Sequence, residues 1–403
     1  MRIRAAEDRR RPDSSFTFGE RNSDMTTPPR PRNPFRPTFG VSPHVLAGRD
    51  RLLADFELAL AEGPGSPYRA ILVSGARGIG KTVLLNELED VARGLGWVIA
   101  RVHVGESLID DLVHSTLPAL ISDLADEPPR RAVTGASIGG IGSISLSVPV
   151  DDRPGTTLIR RLREVSALLR PRGTGLLITL DEAQSAAPDA MKRLAIAYQD
   201  LVRDDFDVAF AAAGLPHGID QLLQLEGTTF LRRAERLELG PVDRAAAVDA
   251  LVRTSADGGR PMDERAASDA ADISRGYPYL IQLVGSLAWA RASLDDKSAI
   301  TSADIAAIRD RAIARMGIQV HKPSMSGVPD GERVVLEAMA DIMAETGEDS
   351  VATGEVAARL GFTPQGLSPR RARLLERELV RAPKHGRLEF ALPYFGEYLI
   401  ASR

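Results

Sequence analysis

The chain has 403 residues, enough for about two to three domains of ordinary size. At 43% hydrophobic and 26% charged it has the composition of a globular protein, and its net charge of −4 excludes a chain-wide basic surface, so any nucleic-acid patch must be local. The absence of cysteine excludes disulfides and thiolate metal sites and fits a reducing, cytoplasmic location.

Residues 1–33 are rich in Pro, Arg, Ser and Asp and read as a disordered segment. They carry charge throughout and lack the apolar run of a signal peptide. Met25 opens MTTPPRPRNPF, so translation can be read as starting at Met1 or at Met25. No apolar window approaches the roughly 18 residues of a membrane span, so no membrane contact is expected.

From Asn33 onward a Pro-rich stretch leads into a helix with Leu52, Leu53, Phe56, Leu58 and Leu60 as its apolar positions. A buried strand over 70–74 enters a glycine turn, and a helix follows over 81–94. A second strand is expected over 97–104 and a helix over 107–124. Residues 132–152, AVTGASIGGIGSISLSVPVDD, alternate Gly and Ser with apolar residues; they read as an inserted β-hairpin or as a flexible surface loop. A helix over 156–169 precedes a third apolar strand, GLLITLDE. After a helix over 189–202 come a fourth strand, DVAFAAAGLP, and a fifth over 235–239. Helices alternating with continuously apolar strands predict a parallel sheet covered on both faces.

From 241 to about 315 the pattern is purely helical, in four amphipathic pieces. The composition of 317–330, with its Gly, Pro and Ser, reads as a linker. The domain boundaries follow: a core over 34–240, a helical lid over 241–316, the linker, and a C-terminal module over 331–403.

The turn after the first strand is GARGIGKT: Gly75, Ala76, Arg77, Gly78, Ile79, Gly80, Lys81 and Thr82, followed by Val83. It completes the pattern G-x-x-x-x-G-K-S/T between a predicted strand and a predicted helix. The glycines let backbone N–H groups face phosphate oxygens, and the helix N-terminus adds partial positive charge. Lys81 is the candidate for the β- and γ-phosphates, and Thr82 for Mg2+. About a hundred residues later GLLITLDEAQ ends a buried strand on Asp181 and Glu182. Asp181 is the second candidate for the metal, and Glu182 the general base that polarises the attacking water. Paired carboxylates favour hydrolysis over simple binding. ATP and Mg2+ are the expected ligand and cofactor.

GARGIGKT, LDEAQ, VLAGRDRLL before the core and GYPYLIQLVG in the helical part together resemble AAA+ ATPases of the origin-recognition initiator type, including bacterial Orc-like proteins. The resemblance runs from about residue 34 to the C-terminus. It implies an α/β fold: a P-loop NTPase parallel sheet (the AAA+ core), a helical lid and a C-terminal winged helix. It also implies that the segment Pro43 to Leu46, with Val45 and Leu46 as its binding residues, lies near the adenine, with Gly48 and Arg49 closing it. Arg232, with Arg233 as alternate, would be donated to a neighbouring subunit's γ-phosphate in a homo-oligomer. Arg275 and Pro278 lie where the family's lid meets nucleotide. One departure stands out: the fourth strand ends in Ala211, Ala212, Ala213 and Gly214, where many members carry a polar residue that orients water. Gln184 is the candidate substitute, and slow or partner-triggered turnover is expected.

In the C-terminal module, two helices precede TPQGLSPRRARLLERELV, where Ser368 and Pro369 read as a helix start. LVRAPKHGRLEFALP then gives two short strands. Three helices and a hairpin make a winged helix-turn-helix. Arg370, Arg371, Arg373, Lys384 and Arg387 form a local basic excess suited to the phosphates of double-stranded DNA. Winged helices also hold protein partners, and that alternative stays open. The six histidines show no metal-ligand spacing.

Overall fold

The computed structural model describes residues 32–38, 40–126, 157–225 and 228–403. The expectations for residues 1–31 and for the 132–152 insertion therefore lie outside the described residues.

Five strands form one parallel sheet in the order β2-β3-β4-β1-β5: β1 (Ala70–Gly75), β2 (Val98–Val102), β3 (Leu176–Leu180), β4 (Val208–Gly214) and β5 (Glu235–Leu239). Every residue of β3 and β4 is buried, as continuous apolar runs require when both faces are covered. Alternate residues serve opposite faces. Ile71 and Val73 join the core beneath the lid, whereas Leu72 joins the core on the other side of the sheet. The covering helices are α1 (Asp50–Glu62), α2 (Lys81–Gly94), α3 (Leu108–Asp111), α4 (Leu117–Asp126), α5 (Leu158–Leu169), α6 (Pro188–Arg203) and α7 (Pro216–Gln224). A π-helical turn, Leu112–Thr116, joins α3 to α4, so the single helix expected there is interrupted. Helix α7, absent from the sequence reading, starts with Pro216 in its first turn.

The sheet order sets the site. The P-loop leaves the carboxyl end of β1, and Asp181 leaves the carboxyl end of β3, with β4 between them. Open α/β sheets hold ligands at this edge.

The four helical pieces are α8 (Arg244–Asp257), α9 (Glu264–Ser274), α10 (Pro278–Leu294) and α11 (Ser302–Met316). The starts of α8, α9 and α11 are capped by side chains: Asp243 accepts from the Ala246 N–H at 2.9 Å, and Asp263 from the Ala266 N–H at 2.7 Å. Thr301 and Asp304 form a reciprocal capping box.

Residues 317–330, read from composition as a linker, are helical over their first part. Helix α11 runs on through a π-helical turn, Gly317–His321, into α12 (Lys322–Ser324). Val320, His321, Met325 and Val328 are buried. Apolar side chains at near-helical spacing outweigh the Pro, Ser and Gly between them, because the segment packs against the module that follows.

That module contains α13 (Asp330–Thr346), β6 (Val351–Ala352), α14 (Thr353–Arg359), α15 (Pro364–Glu376), β7 (Val380–Arg381), β8 (Arg387–Phe390) and α16 (Phe395–Ala401). Its sheet is antiparallel, in the order β6-β8-β7. The third helix does not start at Ser368. Thr363 caps α15 by accepting from the Gly366 N–H at 3.1 Å, Pro364 follows in the first turn, and Pro369 lies inside the helix. The same cap-then-proline signal occurs one turn earlier, and the earlier one operates. The Arg370 guanidinium, next to Pro369, donates to the Gly366 carbonyl at 2.9 Å. The module belongs to one compact unit, Asn33–Arg403. Tyr394 Oη donates to the Ile273 carbonyl of α9 at 2.7 Å, and His321 Nε2 lies 2.9 Å from the Pro393 carbonyl.

Candidate nucleotide site

The P-loop wraps around the ammonium of Lys81. This lysine is buried, at 6% exposure, and donates to the carbonyls of Gly75 at 2.6 Å and Ala76 at 3.0 Å. Burial lowers its pKa, while Glu378, Glu182 and Asp181 pull in the opposite direction. Gly78 has φ +73°, and a Cβ there would stand 2.0 Å from Tyr277 Oη. Glycine is required at this position both by conformation and by space. The Tyr277 hydroxyl donates to the Arg77 carbonyl at 2.7 Å, so the start of α10 rests on the tip of the P-loop. Tyr277 is buried, which raises its pKa and keeps the hydroxyl a donor.

Beside the P-loop lies a cavity of about 400 Å3. Val45, Leu46, Arg77, Gly78, Ile79, Gly80, Lys81, Thr82, Val83, Glu182 and Pro278 line it. So do Arg49, expected there with Gly48, and Arg36, Ile281 and Gln282, for which the sequence alone gave no such expectation. Arg49 is half buried, and burial lowers its pKa. Gln282 accepts from the Arg36 N–H at 3.0 Å, linking the Pro-rich entry segment to α10. No local spacing connects residues so distant in the chain, so only the fold brings them to one wall.

At the other end, Thr82 Oγ1 donates to Asp181 Oδ2 at 2.5 Å. The two residues named for the metal are thus in contact across the sheet edge. Among the described residues no group of three or more His, Cys, Asp or Glu could cage a metal ion. A hydroxyl and a carboxylate, both hard oxygen donors beside a phosphate cradle, fit Mg2+, which completes its coordination with phosphates and water.

Glu182 follows Asp181 in a left-handed backbone conformation, with φ 53°. Its carboxylate accepts from the Gln184 side-chain amide. Gln184 Oε1 in turn accepts from the Leu215 N–H at 2.9 Å, just past the end of β4. Gly218, on α7, faces Gln184 so closely that a Cβ would stand 2.3 Å from the Gln184 Cβ. Gln184 therefore joins the glutamate to the strand that lacks a polar side chain of its own.

Arg232 and Arg275 are not in the cavity wall. Arg232 is exposed on the turn Thr229–Arg233 and donates to the Leu223 carbonyl at 3.3 Å. Arg275 closes α9 with φ 48°, stacks 4.0 Å from the Tyr394 ring centroid and pairs with Glu397 at 3.3 Å. Both partners belong to the C-terminal module.

The five basic residues singled out in that module divide. Arg373 pairs with the buried Glu332, and Arg387 with Glu348 and Ser350. Arg370 stacks 4.5 Å from the Phe362 ring centroid. Arg371 is half buried, and Lys384 is exposed in the turn between β7 and β8.

Glu378, in the turn after α15, has no motif or spacing in the sequence that links it to the site. It is 9% exposed, and burial pushes its carboxyl up to about 7 against the pull of Lys81 and Arg77. The Arg77 backbone N–H approaches the carboxylate, yet neither oxygen completes a hydrogen bond.

Residues 45–205, which hold the P-loop and the Asp181–Glu182 pair, match the family model described as AAA ATPase domain. This part of the chain is an ATP-binding AAA ATPase domain. Residues 318–399 match a second model, described as a domain of unknown function (DUF8462). No curated protein matches the chain. Among solved structures, the Walker-type ATPase PABY2304 of Pyrococcus abyssi is similar at 15% identity and a TM-score of 0.60, covering 88% of this chain and 96% of its own. The ORC2 protein of Aeropyrum pernix, in its ADPNP-ADP complexes, is similar at 16% identity and a TM-score of 0.59, covering 91% and 96%. Its ADP form gives 15% and 0.52, covering 91% and 97%. At these identities the likeness is one of fold. It extends through the helical region and the C-terminal module, beyond the part matched by the AAA domain model.

Proposed function

We propose that the chain is a Mg·ATP-dependent switch, hydrolysing slowly, whose AAA domain controls a C-terminal winged helix that binds double-stranded DNA. The observation that carries the switch is the meeting of Thr82 and Asp181 at 2.5 Å, one residue from Lys81 and one from Glu182. In this reading Lys81 holds the β- and γ-phosphates, and the P-loop N–H groups surround them. Thr82 and Asp181 would hold Mg2+, which when bound neutralises charge developing on the phosphoryl oxygens. Glu182 accepts the proton of the attacking water, and Gln184 fixes the direction of its carboxylate. Val45 and Leu46 provide an apolar wall for the base.

Slow turnover follows from the fourth strand. Ala211 to Gly214 provide no side chain that could orient water, and Gln184 is already engaged by both Glu182 and the Leu215 N–H. Arg232, exposed and outside the cavity wall, acts in trans on a neighbouring subunit in this scheme.

For DNA, Arg371 on α15 and the exposed Lys384 at the hairpin turn, neither paired with a carboxylate among the described residues, support the reading. The pairing of Arg373 with Glu332 and of Arg387 with Glu348 favours a second one, in which the module holds a protein partner.

ATP hydrolysis by the wild-type chain, Lys81→Ala and Glu182→Gln, each with and without duplex DNA, tests the proposal. Binding of duplex that weakens with salt and on Lys384→Ala supports DNA; no binding at low salt leaves the protein-partner reading. ATP binding undiminished in Lys81→Ala would remove the site assignment.

A further inference from the structure

The turn between α15 and β7 brings the carboxylate of Glu378 to the tip of the phosphate cradle. The residue is nine-tenths buried, the Arg77 backbone N–H approaches its carboxylate without completing a hydrogen bond, and its backbone has φ 55°, a conformation unusual for a side chain of this kind. Lys81 and Arg77 are the cations that act on it most, and Glu182 opposes them. Lys81 directs its hydrogen bonds to the Gly75 and Ala76 carbonyls instead. A buried carboxylate with so little hydrogen bonding opposes its own burial. The two flanking elements hold it there: Leu379 and Val380 are buried next to it, and the Glu378 N–H donates to the Leu375 carbonyl at 3.0 Å.

We propose that Glu378 competes with nucleotide phosphates for the cations of the cradle, so that phosphate binding and docking of the C-terminal module oppose each other. This rests on the nucleotide reading given above and adds the device that couples the two ends of the chain. Phosphate brings several negative charges to the same Lys81 and Arg77, and a fixed carboxylate facing them is repelled. The coupling is reciprocal: whatever nucleotide does to docking, docking does to nucleotide affinity. A partner that draws the C-terminal module away from the cradle raises the affinity for nucleotide.

The test uses the full chain at pH 8, where the Glu378 carboxyl is ionised. A fluorescent ATP analogue is titrated into the wild-type protein and Glu378→Gln. Because the chain has no cysteine, Glu57→Cys on α1 and Glu355→Cys on α14 give a labelled pair for a distance measurement without further changes. Glu378→Gln is expected to bind the analogue about tenfold more tightly. ATP is expected to lengthen the distance between positions 57 and 355 with Glu378 intact. Equal or weaker binding by Glu378→Gln overturns the proposal. Should that variant not fold, an unchanged 57–355 distance on ATP addition overturns it. Absence of ATP binding to both proteins is a different result, which removes the nucleotide reading itself and the proposal with it.

Discussion

Tyr277 of the lid and Arg77 of the P-loop are joined by one hydrogen bond of 2.7 Å, from the phenol to the backbone carbonyl. The bond attaches α10 to the part of the cradle that must stay open around phosphate, and Gly78 leaves the room for it. Tyr277→Phe removes one buried hydrogen bond, about 1 kcal/mol, and is expected to weaken ATP binding about fivefold. Gly78→Ala meets both a positive φ and the Tyr277 hydroxyl, and is expected to weaken it at least tenfold. Titration calorimetry of both variants checks this; unchanged affinity would show that the lid contact plays no part in binding.

Binding and hydrolysis should separate by residue. Lys81→Ala is expected to lower ATP affinity about 30-fold or more, because the phosphate then loses its buried cation. Glu182→Gln is expected to keep affinity and lose about 100-fold or more in turnover, as removal of a general base does. Gln184→Ala leaves the Glu182 carboxylate and the Leu215 N–H without their shared partner. A loss of about tenfold in turnover with unchanged affinity is expected, the scale of one charge-assisted hydrogen bond. Single-turnover ATPase rates beside equilibrium titrations distinguish the three.

Arg373 has a structural duty apart from any DNA contact. It pairs with Glu332, whose carboxylate is 2% exposed and has a second oxygen without a partner. Arg373→Ala is expected to cost about 1–2 kcal/mol of stability, the low end for a buried pair because the guanidinium is half exposed. Urea unfolding measures it. Lys384→Ala, at an exposed turn, is expected to leave the midpoint unchanged, so a DNA-binding loss in that variant reports contact and not unfolding.

His321 makes stability depend on pH. Burial lowers its pKa from 6.5 to about 4, despite the Pro393 carbonyl and Glu397. The folded chain therefore keeps the ring neutral while the unfolded chain takes up a proton. Stability from this residue is present above pH 6.5 and is lost as pH falls toward 4, by about 2 kcal/mol at pH 5. The ring is packed against Phe395 and Tyr398, so the loss is read at the junction between the lid and the C-terminal module. Thermal midpoints between pH 7.5 and 5 should fall more steeply for wild type than for His321→Gln.

The local chemistry of the site could be read before any fold was known. GARGIGKT and LDEAQ are contiguous motifs, and a phosphate cradle or a strand-end carboxylate pair is built from neighbours in the chain. The apolar runs of β1, β3 and β4 likewise identified a parallel sheet, because a strand covered on both faces has little choice of residue. Composition misled where burial depended on distant partners. Residues 317–330 look like a linker until Val320 and Met325 find the core, and Ser368 looks like a cap until Thr363 takes that role. The tertiary structure alone decided that Gln184 bridges Glu182 to β4, that Arg275 faces Tyr394 and Glu397, and that Arg373 and Arg387 have acidic partners. Above all it brought Glu378 within the electrostatic reach of Lys81, nearly three hundred residues away in the chain. A carboxylate's partner is set by which turns the packing brings together, and charge alone carries no address along the sequence.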